Sequence, residues 1–529
     1  MGDSYKAAKE AFVSGTNGST ILHVHMISSV ALSSIALHSA LISRLPSSRQ
    51  IHFPTAWLIL VFPLLLSMTL FATSPALLSV LLLFPAGLLL LIPPRQSGTP
   101  LPSPNPMTPP SPRHSSFSLS PIPTPVPASV SQVAVLPALT VYRAHMLLMT
   151  TLAILAVDFP VFPRALAKCE TFGVSLMDLG VGSFVFSQGV VSAIPLLKDS
   201  AYLTAPLQPK LISVTKKILP IIFLGLIRVL LVKGTEYPEH ESEYGTHWNF
   251  FITLALLPVL QVMLHPVIRH IPISLIGILV AIFHQVSLSF LGMQSFVLQT
   301  PRTGIISANK EGIASLSGYL AIHLLGLSTG TLILPPSPKF FRRRQKAALR
   351  RNSDARDTLG VARQNDKTAT ELCSYTVVWW VFFGVTHLLG LGNVSRRMAN
   401  MSYIFWVAAY NTSFILGYLL LDLIFFPSPL SKSVYSKTSK LKVPIDKHST
   451  AVTPLHLQQQ LGNPPDLLEA FNKNGLPLFL LANIATGLVN LTISTMYTSD
   501  FLAMVVLSVY AFGMCAVAWL LRGRRIVKL

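Results

Sequence analysis

A chain of 529 residues that is 51% hydrophobic and only 11% charged, with mean hydropathy +0.57, is too apolar for a soluble globular protein, in which roughly a quarter of residues carry charge. Its formal charge of +20 does not point to nucleic acid, because the basic residues are scattered over several loops and not gathered on one domain. The composition predicts an all-α, multispanning membrane protein.

Read from the N-terminus, apolar runs of about 17 to 25 residues, long enough to cross a bilayer as helix, predict about thirteen transmembrane helices. They lie near 21–43, 56–72, 76–93, 138–157, 174–195, 217–233, 248–265, 272–292, 314–334, 374–392, 402–426, 477–494 and 499–521. The first run is long, follows a polar stretch and lacks a small-residue cleavage site, so it reads as a span and not as a cleaved signal peptide. Gly2 offers no myristoylation signal, since Lys6 stands where Ser or Thr is required. Residues 94–136 are rich in Pro and Ser, cannot bury a core, and predict a disordered cytosolic loop. Polar groups interrupt the runs at 138–157 and 174–195. The basic segments 336–373 and 427–476 are the other long cytosolic links. There is no internal repeat of the kind many transporters carry, so residues 1–529 read as a single multispanning membrane domain. Cys169, Cys373 and Cys515 permit at most one disulfide.

The loops divide by charge. One set holds Lys198, Lys210, Lys216 and Lys217, then Arg342 to Arg344 with Lys346, Arg350 and Arg351, then the lysines between 432 and 447, and finally Arg522, Arg524, Arg525 and Lys528. The other set includes "EYPEHESEYGTHW", whose four glutamates face no lysine. The positive-inside rule puts the basic loops and the C-terminus in the cytosol and the N-terminus across the membrane, which an odd number of spans requires. Contact with anionic lipid accounts for the basic excess. Three sequons, at Asn17, Asn393 and Asn400, fall on the non-cytosolic side.

On that same side, at the end of the fourth run, lies "DFPVFPRALAKCETFG" (158–173). Charges retained at the edge of a span usually face a cavity, a partner or a substrate. Pro160 and Pro163 break helix between Asp158 and Lys168, so the chain can fold back and bring carboxylate and ammonium together. In a partly dry site the Asp can take a proton from a hydroxyl while the Lys stabilises a carbonyl oxygen, a set of groups suited to acyl transfer to an alcohol. A structural ion pair at a helix end is the competing reading. Arg164 can be an interfacial anchor, Asp178 a bond to a neighbouring helix, and His247 with Trp248 an interfacial pair; Gly180, Ser183 and Ser187 suit close packing as well as a pocket wall. No HExxH, GxSxG, Walker loop or Cys/His spacing supports metal-dependent or serine-hydrolase chemistry, and Cys169 has no evident base.

The stretches "KEAFVSGTNGST", "DFPVFPRALAKCETFGVSLMDLGVGSFVFSQGVVS", "YGTHWNFFITL", "NKEGIASLSGYLAI", "SRRMANMSYIFW" and "LFLLANIATGLVNL" together resemble the inositol acyltransferases of GPI-anchor biosynthesis, the family of the fungal GPI-anchored wall transfer protein and vertebrate PIG-W. The fungal branch is the nearer fit, and only the 94–136 loop departs from it in length. The resemblance implies a multi-pass endoplasmic reticulum enzyme that moves a long acyl chain, typically palmitoyl, from its coenzyme A thioester to the 2-hydroxyl of inositol in glucosaminyl-phosphatidylinositol. It implies no metal and no cofactor beyond acyl-CoA as co-substrate, with membrane lipids as the other partners. The Asp and Lys flanking the family's "FPR" turn map onto Asp158 and Lys168 as the catalytic pair. Arg164, Lys310, Arg396 and Arg397 suit phosphate oxygens, and Asp178, His247, Asn309 and Asn400 complete the candidate substrate-binding set. A glycolipid transporter or scramblase is the alternative from another class; it would need a polar track through the whole bilayer, whereas these clusters share one side.

Overall fold

Each of the thirteen apolar runs folds as helix. Among the described residues, extended pairing is confined to an isolated bridge between Ser19 and Val174. The computed structural model describes residues 11–12, 14–44, 51–93, 133, 135–199, 201–233, 241–350, 359, 363–426 and 463–527. The expected disordered loop, apart from its last few residues, and the first three quarters of the 427–476 link lie outside them.

Among the described residues, eight helices are long and apolar enough to cross a membrane: α1 (Ile21–Arg44), α5 (Pro137–Ala156), α6 (Leu176–Lys198), α9 (Ile273–Phe290), α10 (Lys310–Ile333), α13 (Met401–Phe425), α15 (Gly475–Thr492) and α16 (Asp500–Leu520). The chain is therefore an all-α polytopic membrane protein. The other five runs are helical but depart from a full apolar span. The second run is split into α2 (Phe53–Leu60) and α3 (Phe62–Ser67), because Pro63 has no N–H to continue the ladder and serves as a helix start. α4 (Pro75–Leu90) and α8 (Phe250–Met263) are short, with Pro85 and Pro258 inside them. α7 (Leu207–Lys233) and α12 (Asn365–Leu388) are long, but their first turns carry charge.

The link expected at 336–373 is more ordered than its charge suggests. It holds α11 (Phe340–Arg350), whose Phe340 and Phe341 are buried. Arg344 stacks over Phe340 at 4.5 Å and donates to the Leu197 carbonyl at 2.7 Å, and Gln345 donates to the Ile268 carbonyl at 2.6 Å. A run written "FFRRRQ" thus ties down the ends of two other helices. α14 (Asp466–Lys473) likewise buries Leu467, Leu468 and Phe471 before α15 begins.

The tightest packing joins α6 and α10. A Cβ on Gly326 would lie 2.2 Å from the Phe186 carbonyl oxygen, one on Gly330 2.3 Å from that of Val190, and one on Gly189 2.1 Å from that of His323. Backbones this close need glycine on both helices, the small-residue packing that replaces the hydrophobic effect inside a bilayer. α13 lies across this pair, with Val407 and the Tyr403 hydroxyl filling the space beside Gly182. α5 runs along α6 and α13, and the 158–173 loop is held at the end of this four-helix core.

Candidate active site

Asp158 leaves the end of α5, where its N–H still donates to the Leu155 carbonyl at 3.1 Å. Phe159 and Phe162, alternating with the two prolines, are fully buried and pull the turn against the core. Arg164 closes it: Nη2 donates to the carbonyls of Val157 at 2.6 Å and Phe162 at 3.1 Å, and the guanidinium lies 4.2 Å from the centre of the Phe12 ring. Burial lowers the Arg164 pKa, and the nearby Asp158 carboxylate opposes that shift. Arg164 Nε and Nη1 are buried without a protein acceptor. The Asp158 side chain is 4% exposed, and its Oδ2 accepts from Asn490 Nδ2 at 2.8 Å.

Asp158 and Lys168 each take a partner from a distant part of the chain. Lys168 Nζ reaches the other way, to Glu243 Oε1 and Oε2 at 2.8 and 2.9 Å. The reason is local: Arg164 fills the inside of the turn beside Asp158, while the loop before α8 brings a carboxylate over Lys168. Glu243 was missed in sequence reasoning; its only signal was the run of glutamates with no lysine near it.

Behind the turn lies a buried ionic frame. Asp178, third residue of α6 and 1% exposed, accepts from Arg396 Nε at 2.6 Å, from the Cys169 N–H at 2.9 Å and from the Ser175 hydroxyl at 2.8 Å; its own N–H is capped by Ser175 at 3.0 Å. Its carbonyl takes the Tyr403 hydroxyl at 2.7 Å. Glu311, fully buried, binds Arg302 at 2.7 Å and Arg397 at 2.8 Å. Lys310 donates to the Thr300 carbonyl at 2.5 Å. Asn309 accepts the His247 N–H at 2.9 Å, leaving the His247 side chain exposed. Asn400 caps α13 through Tyr403 N–H at 3.2 Å and also accepts from Ser395 N–H at 3.0 Å. Asp178, Asn309, Lys310, Arg396, Arg397 and Asn400 are thus engaged within the protein, and they set the shape of the site. Arg396 Nη1 and Arg397 Nε remain buried without an acceptor.

The six sequence stretches meet here. The N-terminal segment crosses the loop: Ser19 N–H donates to the Val174 carbonyl at 2.6 Å, Gly15 N–H to Glu170 at 2.7 Å, and the Thr16 hydroxyl to the Lys168 carbonyl. Gly18 (φ +82°) and Gly173 (φ +144°) permit this approach, because a Cβ on either would lie 2.5 Å from a backbone oxygen of the other strand. Gly173 N–H donates to the Val394 carbonyl at 2.8 Å. Cys169, held inside this junction, has its thiol pushed up to about 12 by burial and by Asp178, so it stays protonated and is a poor nucleophile.

A cavity of about 350 Å³ begins at Lys168, Glu243 and Thr246 and runs inward between α5, α6, α13 and α15. One face of α5 lines it from Ile154 back to Tyr142, at helical spacing. Met146, Met149, Met177, Phe184, Phe250, Phe414 and Phe479 make the wall mostly apolar. Asp158 does not line the cavity but lies in the turn behind Lys168. Among the described residues no group of three His, Cys, Asp or Glu side chains is placed to hold a metal ion.

The fold and site define a helical membrane protein with a mostly apolar internal cavity that has the partly buried Lys168–Glu243 pair in its lining. Residues 5–521 match the GWT1 family, and the chain belongs to it, a family of inositol acyltransferases of GPI-anchor biosynthesis. It is 38% identical over 636 aligned positions to GPI-anchored wall transfer protein 1 of Cryptococcus neoformans var. neoformans, covering 99% of this chain and all of that relative. The protein of the same name in Cryptococcus neoformans var. grubii is 46% identical over 410 positions, 74% of this chain and 63% of the relative's length. The Saccharomyces cerevisiae protein is 36% identical over 99% of both.

Proposed function

We propose that this enzyme transfers a palmitoyl or similar long acyl chain from coenzyme A to the inositol 2-hydroxyl of glucosaminyl-phosphatidylinositol in the endoplasmic reticulum membrane. The observation that carries this reading is the apolar cavity whose one end holds Lys168 and Glu243 beside the Asp158 turn. The acyl chain lies in the cavity with its thioester at that mouth. The inositol oxygen attacks the thioester carbonyl; a C–O bond forms as the C–S bond breaks. Asp158 takes the hydroxyl proton, which passes to the departing thiolate, and Lys168 stabilises the carbonyl oxygen. Glu243 acts through Lys168, holding its ammonium at the mouth. The spare donors of Arg164 suit the phosphate of the lipid acceptor. No acyl-enzyme is needed, and the high pKa of Cys169 argues against one. A mostly apolar wall suits a chain better than a sugar headgroup in transit, which weighs against a scramblase. The deciding experiment incubates purified protein with palmitoyl-CoA and glucosaminyl-phosphatidylinositol: acyl-inositol product and free coenzyme A are expected in equal amounts, and movement of the lipid between leaflets with no product would overturn the reading.

The same reading places the loop side in the lumen, with the N-terminus lumenal and the C-terminus cytosolic. Asn17 and Asn393 are exposed, whereas Asn400 is 3% exposed and spends its side chain on Ser395, Tyr403 and Asn393. Any glycan is therefore expected at Asn17 or Asn393 and not at Asn400. Endoglycosidase-sensitive mobility of single-sequon variants checks this, and a glycan at Asn400 alone would contradict both the fold there and the site built on it.

A further inference from the structure

The end of the cavity remote from Lys168 is not apolar. The Tyr142 hydroxyl donates to Asn411 Oδ1 at 2.5 Å, and a 2.8 Å hydrogen bond joins His145 Nδ1 to the Tyr418 hydroxyl. All four residues line the cavity, and all four are at most 3% exposed. Asn411 is also tied to its own helix through the Val407 carbonyl at 2.7 Å. These two pairs bridge α5 to α13 and so close the space between the two helices at this level.

We propose that this polar floor, Tyr142 with Asn411 and His145 with Tyr418, is the stop that sets the length of acyl chain the enzyme accepts. The inference rests on the acyl-transfer reading and goes further, since nothing in that reading says which chain is preferred. A methyl end pushed past the floor would part hydrogen bonds in surroundings that offer no water to replace them, a penalty that rises abruptly with the first extra carbons. Up to the floor, added methylenes meet a mostly apolar wall, in which Met146, Met149, Ala153, Ile154 and Phe184 outweigh Thr150 and Ser183, and are favourable. Depth agrees with a long chain. From Asp158 back to His145 the backbone descends about 20 Å at the α-helical rise, roughly the extended length of a palmitoyl group.

The methionines of the wall, Met146, Met149 and Met177, adapt to a flexible chain. The floor does not adapt in the same way, because each of its hydroxyls and amides is fixed by a partner on the facing helix. Length selection follows from this contrast between a yielding wall and a fixed end.

The test measures kcat/KM of the full-length protein with lauroyl-, myristoyl-, palmitoyl-, stearoyl- and arachidoyl-CoA as donors to glucosaminyl-phosphatidylinositol. For the parent protein a steep fall is expected beyond one chain length. Tyr418→Ala removes the ring that closes the floor and is expected to raise the longer-to-optimal ratio about tenfold or more, the usual weight of a methylene or two in a fitted pocket. Met149→Trp blocks the cavity part-way and is expected to move the optimum to a shorter donor, with lauroyl or myristoyl transfer retained. Should Tyr418→Ala fail to fold, Met149→Trp together with His145→Ala decides the matter. A parent protein that transfers acyl groups while both kinds of variant keep its length profile overturns the floor but leaves the acyltransferase reading standing. A parent protein that transfers none of the five overturns the reading beneath it.

Discussion

Asp158→Asn is expected to lower turnover by roughly a hundred- to ten-thousand-fold, the usual loss on removing a positioned base, with the fold intact. Asn keeps an oxygen that can accept from Asn490, so the 2.8 Å contact at the end of α5 survives. Lys168→Met should lose activity on a similar scale through a different route, the missing charge at the carbonyl oxygen. Neither change should unfold the protein. The Lys168–Glu243 pair is only partly buried, with 37% and 19% of the two side chains exposed, and pairs of that kind contribute about 0 to 1 kcal/mol. Thermal stability and single-turnover rates for Asp158→Asn, Lys168→Met and Glu243→Gln separate the roles. If Glu243 only positions the ammonium, Glu243→Gln keeps a measurable rate. An active Asp158→Asn beside a dead Glu243→Gln would move the base to Glu243 and refute the assignment made here.

The largest loss of stability is expected at Asp178 and Arg396. Both side chains are almost wholly buried, at 1% and 2% exposure, and they meet at 2.6 Å. Removing one partner leaves the other charge stranded, which costs about 3–5 kcal/mol. Arg396→Met should be the worse variant, because Asp178 then keeps a charge answered only by Ser175 and the Cys169 N–H. The double variant Asp178→Leu with Arg396→Met should recover much of the loss, since no charge remains to be desolvated. Thermal unfolding of the detergent-purified proteins reads this directly. Single variants as stable as the parent would mean that the pair does not brace the loop against α6. The two experiments also differ in kind: the first removes rate at constant stability, and the second removes stability first.

The membrane fold was legible in the sequence because the bilayer imposes a simple rule of length and apolarity. Every apolar run became helix. What the rule could not supply was the effect of proline and charge within a run, which split 56–72 at Val61 and left α7 and α12 with polar first turns. The rule also says nothing of how the link at 336–373 is seated, where two adjacent phenylalanines hold a basic run against the bundle.

The site was legible in parts. Asp158, Lys168 and Arg164 stood out because charge and proline are conspicuous at the edge of a span. Their partners did not, since Glu243 and Asn490 come from distant stretches and only packing brings them close. Asp178 and Arg396 are bonded to each other and Asn400 caps α13, pairings that no spacing in the sequence announces. The cavity left one trace in the sequence. Of the polar residues that interrupt the run at 138–157, Tyr142, His145 and Thr150 line it.

The N-terminal segment that lies across Lys168 to Val174 has a consequence for the order of assembly. Residues 15–19 are synthesised before the 168–174 surface that receives them, and Gly173 in turn is held by Val394, far later in the chain. The strap can therefore seat only after 168–174 has been made, and the surface under it is complete only once Val394, just ahead of α13, is in place. A nascent chain halted anywhere before α13 carries every residue of the "DFPVFPRALAK" turn and is expected to be inert, which protects the membrane from a half-made enzyme acting on its lipids.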